Sequence, residues 1–169
     1  SGNYLPFDVS EKVSYLIDNL QISVGFHAHN NLGMGIANSI AAVEAGAAIV
    51  DGCARGFGAG AGNAQLEVLV AVLERMGYQT GIDLYKILDA SDIAEDFLME
   101  IMPTVNSISL VSGLSGVFSG FLKHVIRAAK EFSVDPRDLF FKLGERKVVA
   151  GQEDIIIEVA KILSKETRN

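Results

Sequence analysis

The chain has 169 residues, 49% of them hydrophobic, and a formal net charge of −7 with a mean hydropathy of +0.30. That composition supports a buried core in one domain or one domain with an appendage, and the acidic balance without any basic, aromatic-interleaved stripe excludes nucleic acid as an expected partner. The lone Cys53 excludes an internal disulfide framework and a Cys-type zinc site, no apolar run reaches the roughly 18 residues of a membrane span, and the opening SGNYLPFDVS lacks signal-peptide regions, so a cytoplasmic protein without a membrane partner is expected.

Asp8 and Glu11 have the spacing of a capping box, and Val9, Val13, Leu16, Ile17 and Leu20 fall on one helical face, which predicts a first amphipathic helix. The stretch ISVGFHAH, residues 22–29, is short and β-branched at its start and reads as a strand. A helix with Ile36, Ile40, Ala41 and Val43 at helical spacing follows it. AAIVDGCA, residues 47–54, repeats the strand pattern. The loop RGFGAGAGN comes next, then a helix face of Leu66, Leu69, Val70 and Leu73. The order α, β, α, β, α predicts an α/β fold with a parallel sheet covered on both faces. Two such strands leave sheet edges unpaired, so the pattern reads as part of a larger α/β structure, completed by another chain or by a longer polypeptide.

Beyond Gly77 the pattern is helical. DLYKILDASDIAEDFL, FLKHVIRAAKEF, DPRDLFFKLG and QEDIIIEVAKIL follow one another, with Pro136 at one helix start and Gly144 at its stop. The least regular part is 102–120, where small residues suggest a closely packed loop. The expected division is residues 1–80 as the α/β part and 81–169 as a helical domain.

GFHAHNNLGMG places two histidines one residue apart. On a strand, i and i+2 share a face, so His27 and His29 project together while Ala28 turns to the opposite layer. Both fall at the strand's C-terminal end, where parallel α/β folds place ligand sites. Two imidazoles so spaced suit one metal ion, with further ligands from elsewhere. The dyad alone is equally a pair of polar core or surface histidines.

HAHNNLG, VDGCARGFGAGAGNAQLEV, GVFSGFLKH and AGQEDIIIEVA together resemble the 4-hydroxy-2-oxovalerate aldolases, class II pyruvate-specific aldolases of the metal-dependent lyase and aldolase group, and the likeness runs from Ser1 to about Leu163. The resemblance implies the C-terminal part of a (β/α)8 barrel, its seventh strand carrying His27 and His29, followed by an α-helical domain that contacts an acylating acetaldehyde dehydrogenase. It implies a divalent cation, Mn2+ first, held by His27 and His29. It also implies a 2-oxo acid substrate touched by Ser1, His27 and the residue at Phe118, where the family usually has a tyrosine. The aspartate ligand, the arginine and the catalytic base that the resemblance implies belong to a preceding half, so no catalytic residue is assigned here and the chain alone is expected to be inactive.

The remaining candidates have plainer readings. RGFGAGAGN fits no GxGxxG register and lacks a GK[ST] ending, so its glycines are expected to serve tight turns and close backbone approach. Cys53 is read as a structural thiol, His124 as structural or solvent-facing, Asn30 and Asn31 as capping the next helix, and the acids at 95–96 and 153–154 as solvated helix faces. Against the aldolase stand an interaction module that binds a dehydrogenase or a second copy of itself, and a related acyl-CoA-dependent synthase.

Overall fold

Pro6 opens α1 (Pro6–Asn19), where its missing N–H costs nothing, and the Asp8 carboxylate accepts the Leu5 N–H at 2.9 Å. Asp8 is therefore the third residue of the helix, bonding back to its start. The Asp8–Glu11 capping box does not form, because the proline begins the helix earlier. The computed structural model describes residues 1–166.

The α/β order follows as read from the sequence: β1 (Gly25–His27), α2 (Gly35–Glu44), β2 (Ile49–Asp51), a 3-10 turn at Ala54–Gly56, and α3 (Leu66–Arg75). The strands run parallel, with Gly25 opposite Ile49, Phe26 opposite Val50 and His27 opposite Asp51. Both are shorter than the sequence suggests. The glycine-rich loop returns alongside and takes over the hydrogen bonds: Asn30 N–H donates to the Gly62 carbonyl at 2.8 Å and Ala64 N–H to the Ala28 carbonyl at 2.9 Å. His29 is left in an isolated antiparallel bridge with Asn63, and Cys53 in a parallel one with Gln65. Val9 and Val13 of α1 pack with Val24, Ala41 and Ala42, and Phe26 and Val50 close that core from the sheet side. Among the described residues the sheet has two strands, so each keeps one open edge.

Two compact units divide at Thr104 and Val105. Helix α4 (Leu84–Leu98), which the sequence reading assigned to the part after residue 80, lies in the first unit, where it packs on α3 and the 3-10 turn. Asp83 caps it by accepting the Lys86 N–H.

The second unit begins with α5 (Ser107–Ser115), inside the 102–120 stretch expected to be a loop. Serine and glycine give this segment little helical propensity, but Asn106 accepts the N–H groups of Ile108 and Ser109 at 3.0 Å, and the Ser109 hydroxyl accepts the Asn106 N–H at 2.9 Å. The small residues serve packing: a Cβ at Gly144 would stand 2.4 Å from the Ser115 carbonyl oxygen. Helices α6 (Leu122–Phe132), α7 (Pro136–Glu145) and α8 (Glu153–Glu166) enclose Phe121, Val125, Leu139, Phe140, Leu143 and Ile156 in a separate core.

Asp135 caps α7 by accepting the Arg137 N–H at 2.8 Å, and hydrogen bonds from the Arg137 side chain and backbone pull its carboxyl down to about 2. Replacement by alanine is expected to cost about 0.5–2 kcal/mol, the usual value of such a cap. A carboxylate held below its ordinary 3.8 stabilises the fold above that value and loses the contribution as pH falls toward 2. The gap in urea midpoint between wild type and Asp135→Ala should therefore be constant from neutral pH to about 4 and narrow below it.

Candidate active site

Three backbone segments converge at the end of β1. His27 is the strand's last residue, Ala28 turns its methyl into the buried layer, and His29 returns to the face of His27. The two rings lie edge to face with centroids 5.1 Å apart and planes at 80°. His27 places Nδ1 2.5 Å from Oδ1 of Asp51, its in-register neighbour at the end of β2.

His29 sits deeper. Its backbone N–H donates to the Ser1 hydroxyl oxygen at 3.2 Å, and its Nδ1 is buried with no hydrogen-bond partner. Desolvation, with a smaller contribution from neighbouring His27, lowers its pKa below the ordinary histidine value, so the ring is held neutral. Asn63, bridged to His29, donates its amide to the Phe57 carbonyl at 3.0 Å and to Cys53 Sγ at 3.2 Å. Its Oδ1 is buried and unpaired. Ser1, His27 and His29 are thus brought together with Asp51 and Asn63, two residues the sequence reading did not single out.

Phe118 lies in the second unit, exposed, just before a 3-10 turn at Ser119–Phe121, with its ring edge-to-face on Phe121 at 5.7 Å. His124 is exposed on α6. Cys53 is half-buried. Asn30 caps α2 by accepting the Gly35 N–H at 3.0 Å, and Asn31 is buried beside Gly2.

The glycine-rich loop is pinned at its start by Arg55, whose backbone is left-handed at φ 51°. Its guanidinium reaches Glu95 at 2.8 Å, Asp92, and Glu67 at 3.5 Å, and its N–H donates to Glu67 at 3.1 Å. Glu67 is 3% exposed and also accepts the Ser91 hydroxyl at 3.1 Å. Burial opposes the cation, but Asp92, Glu95 and Glu67 outweigh it and hold Arg55 above its usual range. Glu95, read from the sequence as part of a solvated helix face, is 42% exposed and is in addition an ion-pair partner of Arg55. The signal available in the sequence was Glu67 among Leu66, Leu69 and Val70, an acid that burial obliges to find a cation.

Chemically, the cleft offers two imidazoles, one of them neutral and partly desolvated, a hydroxyl, and a buried amide oxygen. Among the described residues there is no group of three or more His, Cys, Asp or Glu able to hold a metal ion, so the imidazole pair is a partial donor set. It is of the type that suits a divalent first-row cation completed by oxygen ligands.

Residues 1–94 match the HMGL-like family model, and residues 103–165 match that of the DmpG-like communication domain. The chain is 67% identical over 161 residues to the 4-hydroxy-2-oxovalerate aldolase of Spirochaeta aurantia, covering 95% of this chain and 47% of that protein. It is 62% identical to the enzyme of the same name from Pectobacterium atrosepticum, over 100% of this chain and 49% of that protein. The chain therefore spans about half the length of the curated relatives it matches. Its fold is similar to the carboxyl transferase domain of Rhizobium etli pyruvate carboxylase, with a TM-score of 0.78 at 18% identity, covering 98% of this chain and 30% of that one. Among the described residues no helix is long and apolar enough to cross a membrane.

Proposed function

The chain belongs to the HMGL-like family, and from that premise we propose that it carries the metal-holding part of a 4-hydroxy-2-oxovalerate aldolase active site, in which His27 and His29 bind a divalent cation, Mn2+ first. The observation that carries this reading is the His27–His29 pair itself. The rings are 5.1 Å apart, with one Nδ1 engaged by Asp51 and the other buried, which leaves the Nε2 atoms as the available donors.

The finer fold reading is part of the proposal. Residues 1–80 are the last βα units of a (β/α)8 barrel, with α4 packed on them, and the helical domain that contacts an acylating acetaldehyde dehydrogenase begins after Thr104. The DmpG-like communication domain match supports the second half of that statement. A bound divalent cation would act as a Lewis acid, stabilising the negative charge that develops on the pyruvate portion as the C3–C4 bond of a 4-hydroxy-2-oxo acid breaks. The chain's own residues prepare for that charge. His29, whose pKa burial lowers, keeps one of its two ring nitrogens bare as a lone-pair donor at neutral pH. The Ser1 hydroxyl oxygen accepts the His29 N–H, so its own hydrogen is free to be donated to an oxygen of the 2-oxo acid. Phe118 stands as a substrate contact on motif resemblance alone, offering a ring and no hydroxyl.

The test uses a polypeptide of the relatives' length that contains these 169 residues, supplied with Mn2+ and 4-hydroxy-2-oxovalerate, with pyruvate release followed. His29→Ala should lower kcat/KM by more than about 100-fold, beyond the 10–100-fold typical of residues that merely support a ligand. The 169-residue chain alone should release no pyruvate, and Phe118→Tyr in the longer protein should alter stereoselectivity at C4. Pyruvate release that survives both His27→Ala and His29→Ala would overturn the proposal.

A further inference from the structure

We infer that Asp51 is a positioning residue: it fixes His27 in the Nδ1–H tautomer and so turns the Nε2 lone pair toward the space shared with His29. The inference starts from the pairing of the strands. β1 and β2 are parallel and in register, so the last residue of each, His27 and Asp51, stands side by side on one face. Oδ1 of Asp51 lies 2.5 Å from His27 Nδ1. An ionised carboxylate has no hydrogen to donate, so in the neutral imidazole the proton of this bond sits on Nδ1 and the acceptor nitrogen is Nε2. An unconstrained histidine prefers the opposite tautomer, with the proton on Nε2. An imidazole that ligates through Nε2 needs the arrangement that Asp51 imposes.

The backbone around Asp51 is built to hold it. Ala48 N–H donates to the Val24 carbonyl and Cys53 N–H to the Ala64 carbonyl, both at 2.9 Å, on either side of the short strand. Between them, Gly52 is approached so closely that a Cβ there would lie 2.9 Å from the Ala64 carbonyl oxygen. The pair is at the same time too exposed to matter much for stability, His27 being 44% and Asp51 58% accessible. A carboxylate aligned at this distance, on a pinned backbone, in a place where it stabilises little, is placed for what it does to the ring.

The tautomer is a property of this chain alone, while its consequence for metal rests on the aldolase reading above. The experiment separates the two. In the 15N-labelled, metal-free 169-residue chain, at a pH well above the ordinary histidine range, long-range 1H–15N correlations report which ring nitrogen is protonated. The His27 signals are identified by their loss in His27→Gln. Wild type is expected to show Nδ1 protonated and Nε2 bare. Asp51→Asn and Asp51→Ala should shift His27 toward Nε2–H while the backbone amide spectrum away from the cleft stays unchanged, and Asp51→Glu should restore the wild-type pattern. In a polypeptide of the relatives' length that contains these residues, Mn2+ uptake, read from the electron paramagnetic resonance of free Mn2+, should weaken about 10–100-fold in Asp51→Asn and recover in Asp51→Glu. A wild-type His27 protonated on Nε2, or a tautomer indifferent to Asp51→Asn and Asp51→Ala, would overturn the inference. A tautomer that responds to Asp51 while a polypeptide of the relatives' length takes up no Mn2+ would uphold Asp51 as the positioning residue and bring down the metal reading instead.

Discussion

Gly62→Ala is expected to be among the most damaging single-methyl additions this chain can receive, costing about 2–5 kcal/mol: about 1–2 for holding a residue with a Cβ in the left-handed region and about 1–3 for overpacking. Gly62 has φ +81°, and a Cβ built on it would lie 2.1 Å from the Gly56 carbonyl oxygen and 2.7 Å from Pro103 Cβ. The first of those neighbours is backbone and cannot swing aside, because the Gly56 carbonyl already accepts the Asn63 N–H at 2.9 Å. Gly62 is also tied at both ends, its N–H to Ala59 at 3.1 Å and its carbonyl to the Asn30 N–H at 2.8 Å. Relief of the clash therefore breaks a bond that holds the loop against the His29 segment. Gly33→Ala is the control. Its φ is +72°, but nothing lies within 4 Å of the added methyl, so only the conformational part of the cost remains, about 1–2 kcal/mol. Urea midpoints with unchanged slopes would measure both. Equal losses at the two glycines would mean that the loop yields freely and that close approach at Gly62 is of no consequence.

The contrast between those glycines marks what a sequence can reveal about this site. That RGFGAGAGN needs tight turns is legible from composition, because glycine is the residue that takes positive φ without strain. Which of its glycines is also hemmed in by backbone depends on a return path beside residues 28–30 that no local pattern encodes. The same division runs through the rest of the fold. The shared face of His27 and His29 follows from the two-residue period of extended chain, and it needs no knowledge of a partner strand. Asp51 is 24 residues from His27, and only the register of two three-residue strands brings them together. Helix α5 was hidden because serine and glycine depress helical propensity, whereas the Asn106–Ser109 cap that supports it is a local signal that could have been read. The boundary set near residue 80 marked a change in pattern, from alternating strands and helices to helices alone. The packing boundary lies after Thr104, because α4 is bound to the first unit by Arg55, a contact spanning 37 and 40 residues of sequence.

That same arginine carries the other large effect. Arg55→Ala is expected to destabilise the first unit by about 3 kcal/mol, the lower end of the range for breaking a buried ion pair. The reason is the unequal burial of the partners. Glu67 is 3% exposed, Arg55 26%, and Asp92 and Glu95 are far more open, so water can replace the cation for the outer acids and cannot for Glu67. Two hydrogen bonds survive the substitution, from the residue 55 backbone N–H and the Ser91 hydroxyl, both at 3.1 Å, and they keep the loss from the top of that range. Arg55→Lys should recover little, because a single ammonium cannot reproduce a planar fork that reaches three carboxylates from different nitrogens. Removing the buried charge as well should help more: Arg55→Ala combined with Glu67→Gln should be more stable than Arg55→Ala alone, which would expose a coupling between the two side chains in a double-mutant cycle. Because Arg55 stands at the start of the loop whose far end supplies Asn63 beside His29, the substitution should loosen the cleft along with the fold. Additive effects of the two substitutions would show that Arg55 contributes only through its packing and that Glu67 is satisfied without it.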